Sequence, residues 1–137
     1  MLTMPSSNID IRERSSLSLA FVGDGVLELL VRARLVAESR ASVGVLHKQA
    51  VRMVSAKGQF EALADVQALL TEEESDVLRR GRNASKATVA KNASVEEYRA
   101  STGLEALFGW LYLQNRLQRI EELFQPIWKH YLAARDA

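Results

Sequence analysis

The chain contains no cysteine. Disulfides and thiolate metal sites are therefore excluded, and a reducing compartment fits the composition. Histidine is scarce: His47 and His130 are the two present, and neither belongs to a Glu-x-x-His motif. A ferritin-like di-iron bundle is disfavoured on that ground. A Ser-His-Asp triad finds no nucleophile elbow, and neither a Walker-type nor a dinucleotide-binding glycine loop occurs. No apolar run reaches membrane-spanning length, because Asp24, Glu28 and Arg32 interrupt the best candidate. The opening residues lack a basic segment followed by an apolar stretch, so no secretory signal and a cytoplasmic location are expected. Net charge is +1. With no whole-molecule field to attract nucleic acid, any polyanion site must be a local patch.

What is present is an ordinary globular composition, 47% hydrophobic and 26% charged over 137 residues, which suits a single domain. Residues 1–14 are polar, include Pro5, and read as a loose arm before a domain spanning 15–137. A first helix is expected from Ser16 or Ser18 to about Glu38. Ser42 can cap a second helix through Leu46, Ala50, Met53 and Val54. Helix continues or restarts through Phe60, Leu63, Ala64 and Val66. Thr71-Glu-Glu-Glu74 forms a capping box whose helix should stop near Gly81. Residues 82–93 lack a strong period and read as a loop. Ser94-Val-Glu-Glu97 is a second capping box, opening a helical region that ends near Gln114 or Asn115, with Gly103 as an expected break. A last helix carries Ile120, Leu123, Phe124, Ile127, Trp128 and Tyr131, with a kink expected at Pro126. No strand pattern competes, so the fold class is all-α.

Two acids stand out in this pattern. Asp24 lies within Leu17–Val31 and Glu105 within Leu104–Leu113, stretches apolar nearly all round, as in helices buried in a core. Neither acid has a Lys or Arg three or four positions away. An unpaired buried carboxylate is costly, so something must compensate it. A hard divalent cation shared by both, such as Mg²⁺, is one answer, since it takes carboxylate, water and phosphate oxygens. Glu28 shares a helix face with Asp24, and Gly23 and Gly25 flank Asp24. Missing side chains there would let another backbone, an ion or a substrate come close. Tight helix–helix packing is the plainer account of the same glycines, with Glu28 turned to solvent or paired with Arg32, and a long-range salt bridge is the plainer account of Glu105. Spacing alone leaves both open.

Basic residues cluster twice. Arg79, Arg80, Arg82, Lys86 and Lys91 span an expected helix end and loop without an intervening acid, with Asn83 among them. His47, Lys48, Arg52 and Lys57 place several cations on one helix face. Each cluster alone is what a solvated surface also shows. Combined with paired acids, they describe metal-assisted phosphodiester hydrolysis, with the cations gripping phosphates.

Leu19-Ala-Phe-Val-Gly-Asp-Gly-Val-Leu-Glu28 resembles the signature helix of the ribonuclease III endonuclease domain, and Thr102-Gly-Leu-Glu-Ala-Leu-Phe-Gly109 resembles its second acidic motif. Leu46–Ala50, Arg80–Ala84 and Tyr98–Thr102 match as well, so the resemblance covers about residues 16–132. It is strongest to the mini-ribonuclease III branch, which lacks a separate double-stranded RNA-binding domain. The resemblance implies an all-α homodimer in the ribonuclease III helical fold. It implies an endoribonuclease that cuts double-stranded RNA with Mg²⁺, Mn²⁺ being a substitute, and leaves 5′-phosphate and 3′-hydroxyl ends.

Asp24 and Glu105 then match the catalytic metal ligands, and Phe21 matches an aromatic residue of the dimer interface. His47, Lys48, Arg79, Arg80, Arg82, Asn83, Lys86 and Lys91 would contact RNA. The implied substrate is the 23S ribosomal RNA precursor, presented with or without a ribosomal protein, and no membrane is involved. Where longer members carry acids, this chain has Leu17, Ala20 and Thr102. The metal site is thus expected to be sparser, with Glu28 and Thr102 in supporting roles around it. Two other functions suit the same residues: a non-catalytic RNA-binding helical domain assisting ribosome assembly, and a helical dimerisation adaptor.

Overall fold

The computed structural model describes residues 9–85 and 94–136, with side chains as far as residue 133. Six α-helices and a 3-10 turn at Ile11–Glu13 occur among the described residues, and no strand. The helices are α1 (Ser16–Glu38), α2 (Val43–Val54), α3 (Ala56–Gln67), α4 (Glu72–Ala84), α5 (Val95–Leu113) and α6 (Leu117–Asp136). The all-α expectation therefore holds. None of the described helices is long and apolar enough to cross a membrane.

Local sequence explains where the helices start. Ser15, Ser42, Ser55, Thr71 and Ser94 each accept a backbone N–H from the first turn that follows. Such caps contribute about 1 kcal/mol each. Both expected capping boxes form: the Thr71 and Ser94 backbone N–H groups donate back to Glu74 and Glu97, each at 2.9 Å. Ser55 ends α2 and caps α3 at once, so the helix restarts there rather than continuing.

α5 is the axis of the fold. Ala100–Leu104 and Ala106–Leu111 are buried without interruption. A helix apolar on every side is covered on every side. It packs most extensively against α1, then against α4 and α3. α6 lays Ile120, Leu123, Phe124, Ile127, Trp128 and Tyr131 into the core and runs through Pro126 as a helix. α5 ends at Leu113, where Asn115 adopts a left-handed φ of 59° and the Arg116 N–H donates back to the Leu111 carbonyl. Asparagine tolerates that conformation, and the chain turns there into α6. Fully buried Glu74 accepts two bonds from Arg119, at 2.7 and 2.8 Å, which ties the start of α4 to α6.

Three expectations are corrected. Gly81 does not stop α4, which continues to Ala84, and Gly103 does not break α5. The two glycines instead face each other across a close helix contact. A β-carbon on Gly81 would stand 2.9 Å from the Gly103 Cα, and one on Gly103 would stand 2.7 Å from the Leu78 carbonyl oxygen. Residues 82–84, expected in a loop, are therefore helical, while Lys86 and Lys91 lie outside the described residues. Third, α1 is not buried all round. Leu17, Phe21, Leu29 and Val36 are exposed, Phe21 by 84%, and Asp24 is exposed as well. α5 covers one apolar face of α1, while Leu17, Phe21, Leu29 and Val36 of the same helix stay exposed among the described residues.

Candidate active site

The α1–α5 contact sets the site. A β-carbon on Gly23 would fall on the Glu105 carbonyl oxygen, and one on Gly109 would fall on the Leu19 carbonyl oxygen. Two helix backbones thus meet directly, and the residue after Gly23 is brought beside the Glu105 side chain. Gly25, by contrast, has nothing within 4 Å of its absent side chain. Of the two glycines flanking Asp24, only Gly23 serves close approach.

Asp24 and Glu105, 81 positions apart by number, line one open cleft of about 630 Å³. α1 contributes Leu17, Ala20, Phe21 and Asp24, and the α2–α3 junction contributes Val54, Ala56 and Gln59. The end of α4 adds Ser85, and α5 adds Tyr98, Ser101, Thr102 and Glu105. Burial pushes the Glu105 carboxyl up to about 8, and the hydrogen-bonded Asp24 carboxylate and its charge push the same way. A hydrogen bond from Gln59 works against the rise. Burial and the neighbouring charge therefore favour the protonated form of Glu105. A divalent cation would satisfy the same oxygens by replacing that proton, so the donor set fits a hard metal ion.

Hydroxyls fill the positions next to the pair. Thr102 is buried, donates to the Tyr98 carbonyl at 3.0 Å and lies 3.3 Å from the Ser85 hydroxyl. Ala20 is buried at the cleft wall. Glu28 is held by Arg32 at 2.9 Å, one turn along α1, and is not among the cleft-lining residues. Among the described residues, no third Asp, Glu or His joins Asp24 and Glu105 in a ready-made metal cluster.

The basic residues are divided rather than gathered. His47 and Lys48 are exposed on α2. Arg79 is exposed on α4 and paired with Asp76 at 3.0 Å. Arg82 is half-buried, and Asn83 is exposed near the helix end that delivers Ser85 to the cleft. Arg80 points elsewhere, lining a separate cleft with Ile11, Arg12, Arg14 and Trp110.

Sequence reasoning missed Gln59. It falls on the stripe of Ala62, Leu63 and Val66 that faces the core, and an amide on such a stripe is the signal that could have found it. Ser85 and Ser101 carried no comparable signal.

Residues 17–116 match the family described as Ribonuclease III domain. The chain is 43% identical over 111 residues to a Thermoanaerobacter protein named Mini-ribonuclease 3, an alignment covering 81% of this chain and 78% of that protein. It is 41% identical over 119 residues to the Staphylococcus aureus protein of the same name, covering 85% and 89% of the two chains. A crystal structure of a Fusobacterium nucleatum protein superposes with a TM-score of 0.79 at 30% identity, covering 88% of this chain and 97% of the other.

Proposed function

This chain belongs to the ribonuclease III domain family, and from that membership we propose that it is a divalent-metal-dependent endoribonuclease acting on double-stranded RNA. The observation that carries the reading is the convergence of Asp24 and Glu105 from separate helices into one open cleft, with Glu105 shifted up to about 8. A cation between two neighbouring carboxylates offsets their repulsion and the burial of Glu105.

Asp24 and Glu105 would hold that ion, with Mg²⁺ the expected metal and Mn²⁺ a substitute. Such an ion supplies charge stabilisation at the phosphate and a lowered pKa for water. The chain's own groups do the rest. The peptide contact at Gly23 sets how closely the two helices that carry the carboxylates approach. The Ser85, Ser101 and Thr102 hydroxyls keep the cleft polar beside them. In hydrolysis, water oxygen bonds to phosphorus, the bond to the 3′ oxygen breaks, and that oxygen takes a proton. The products are 5′-phosphate and 3′-hydroxyl ends.

We assign RNA contacts to His47, Lys48, Arg79, Arg82 and Asn83, together with Lys86 and Lys91. Arg80 is the weakest of the sequence-expected contacts, because it lines the other cleft. The open apolar face of α1 around Phe21 supports a homodimer with one site for each strand. The 23S ribosomal RNA precursor is the proposed substrate, met in the cytoplasm, with a ribosomal protein as a candidate presenting partner.

Incubation with duplex RNA, with Mg²⁺ and then with chelator, tests this reading. Cleavage is expected only with metal, and Asp24→Asn and Glu105→Gln should each reduce it on the order of 10²-fold or more. Undiminished cutting by both variants would remove the site.

A further inference from the structure

Gln59 sits at the joint between α2, α3 and α5. Its side chain is 5% exposed and lines the same cleft as Asp24 and Glu105. Its Nε2 donates to the Val54 carbonyl at 3.0 Å. Val54 is the last residue of α2, where the helix leaves carbonyls without internal donors. That bond settles which end of the amide is nitrogen. Glu105 lines the same cleft, and the Gln59 side chain acts on it in the sense that favours the charged carboxylate. Only an N–H can donate to a carboxylate, and Nε2 carries a second proton that the Val54 bond does not use. Its Oε1 is buried without a hydrogen-bond partner in the structure.

Stability accounts for one end of this amide, the donor to the Val54 carbonyl, and not for the other. A buried carbonyl oxygen without a partner costs free energy. An apolar side chain of similar size would fit a stripe shared with Ala62, Leu63 and Val66. What glutamine adds is direction: it links the end of α2 to one acid of the pair. Carboxylates that ligate metals are commonly held by such neighbouring donors, and losing the donor lowers metal affinity by about 10- to 100-fold.

We propose that Gln59 is the positioning residue of the site: its amide, anchored on the Val54 carbonyl, holds the Glu105 carboxylate in the orientation that receives the metal ion. The proposal rests on the reading of Asp24 and Glu105 as metal ligands. In this role Gln59 stands in for part of the carboxylate scaffold that Ala20 and Thr102 do not provide.

The test is Mn²⁺ binding without RNA, followed by the electron paramagnetic resonance signal of the free ion, in the parent, Gln59→Leu and Glu105→Gln proteins. The parent should bind, and Glu105→Gln should abolish tight binding. Gln59→Leu should weaken it by about 10- to 100-fold, while its thermal unfolding stays cooperative. Gln59→Leu binding as tightly as the parent would overturn the proposal and leave the metal site standing. A parent that binds no Mn²⁺, or binds it regardless of Glu105, would overturn the site and the proposal with it. A second measurement does not depend on the variant folding. In the ¹⁵N-labelled parent, the Gln59 side-chain amide resonances should shift on titration with Mg²⁺, and unmoved resonances at saturation would count as refutation.

Discussion

The peptide at Gly23 rests on the peptide at Glu105, with no room for a β-carbon between them. The two acids of the cleft are thus spaced by backbone contact, and a small change at a neighbouring residue should be felt in both fold and site.

Gly23→Ala should therefore destabilise the protein by about 1–3 kcal/mol or more, since the added carbon meets backbone that cannot swing aside. Gly25→Ala, two residues along the same helix, meets open space. It should be neutral or stabilising by up to about 1 kcal/mol through helix propensity. Urea unfolding of the two variants side by side measures the contrast, and equal losses would contradict the assigned contact.

Glu105 makes stability depend on pH in an unusual direction. Its carboxyl is raised from 4.5 to about 8 in the folded chain, so between those values the folded state holds a proton that the unfolded state has released. Without metal, stability should fall as pH rises across that window and level off above it. Glu105→Gln should abolish the slope and be the more stable protein at pH 9, by roughly 1–4 kcal/mol. Thermal unfolding in chelator from pH 5 to 9 reads this directly. Parallel profiles for parent and variant would show that the carboxyl is not strained as described.

Phe21, 84% exposed beside Leu17 at 42%, should anchor the partner subunit. Phe21→Ala should shift sedimentation toward monomer across a dilution series, by at least tenfold in dissociation constant, because burying a phenyl ring is worth about 1.5–3 kcal/mol. An unchanged profile would place the subunit contact elsewhere.

Arg82→Ala and Lys48→Ala should each weaken duplex RNA binding without regard to sequence. Each should also lower the salt dependence by about one phosphate contact. Arg80→Ala, in the separate cleft, should change affinity less than either. Equal losses at all three positions would mean that RNA engages both clefts.

The elements that follow local rules were legible in the sequence. Caps at Ser42, Thr71 and Ser94 are read from neighbours in the chain, and each was found in place. The acids were legible for a similar reason: apolar surroundings without a cation one turn away mark Asp24 and Glu105 locally. What escaped depends on distant partners. Gly81 looks like a helix stop until Gly103 is seen opposite it on α5. Arg79 and Arg80 look like one patch until α4 turns them to different sides, Arg79 toward Asp76 and Arg80 into the cleft with Trp110. The exposure of Asp24 escaped too, because an apolar face left open has the same composition as one facing the core.

The backbone seating of α1 on α5 has a consequence for how the protein can change. The approach of the two backbones is set by that contact and not by rotamers of the interior, so exchanges at Leu27 or Leu107 should alter resistance to unfolding while leaving residues 24 and 105 side by side. Divergence in the hydrophobic filling and tuning of the chemistry can then proceed as separate histories within one molecule.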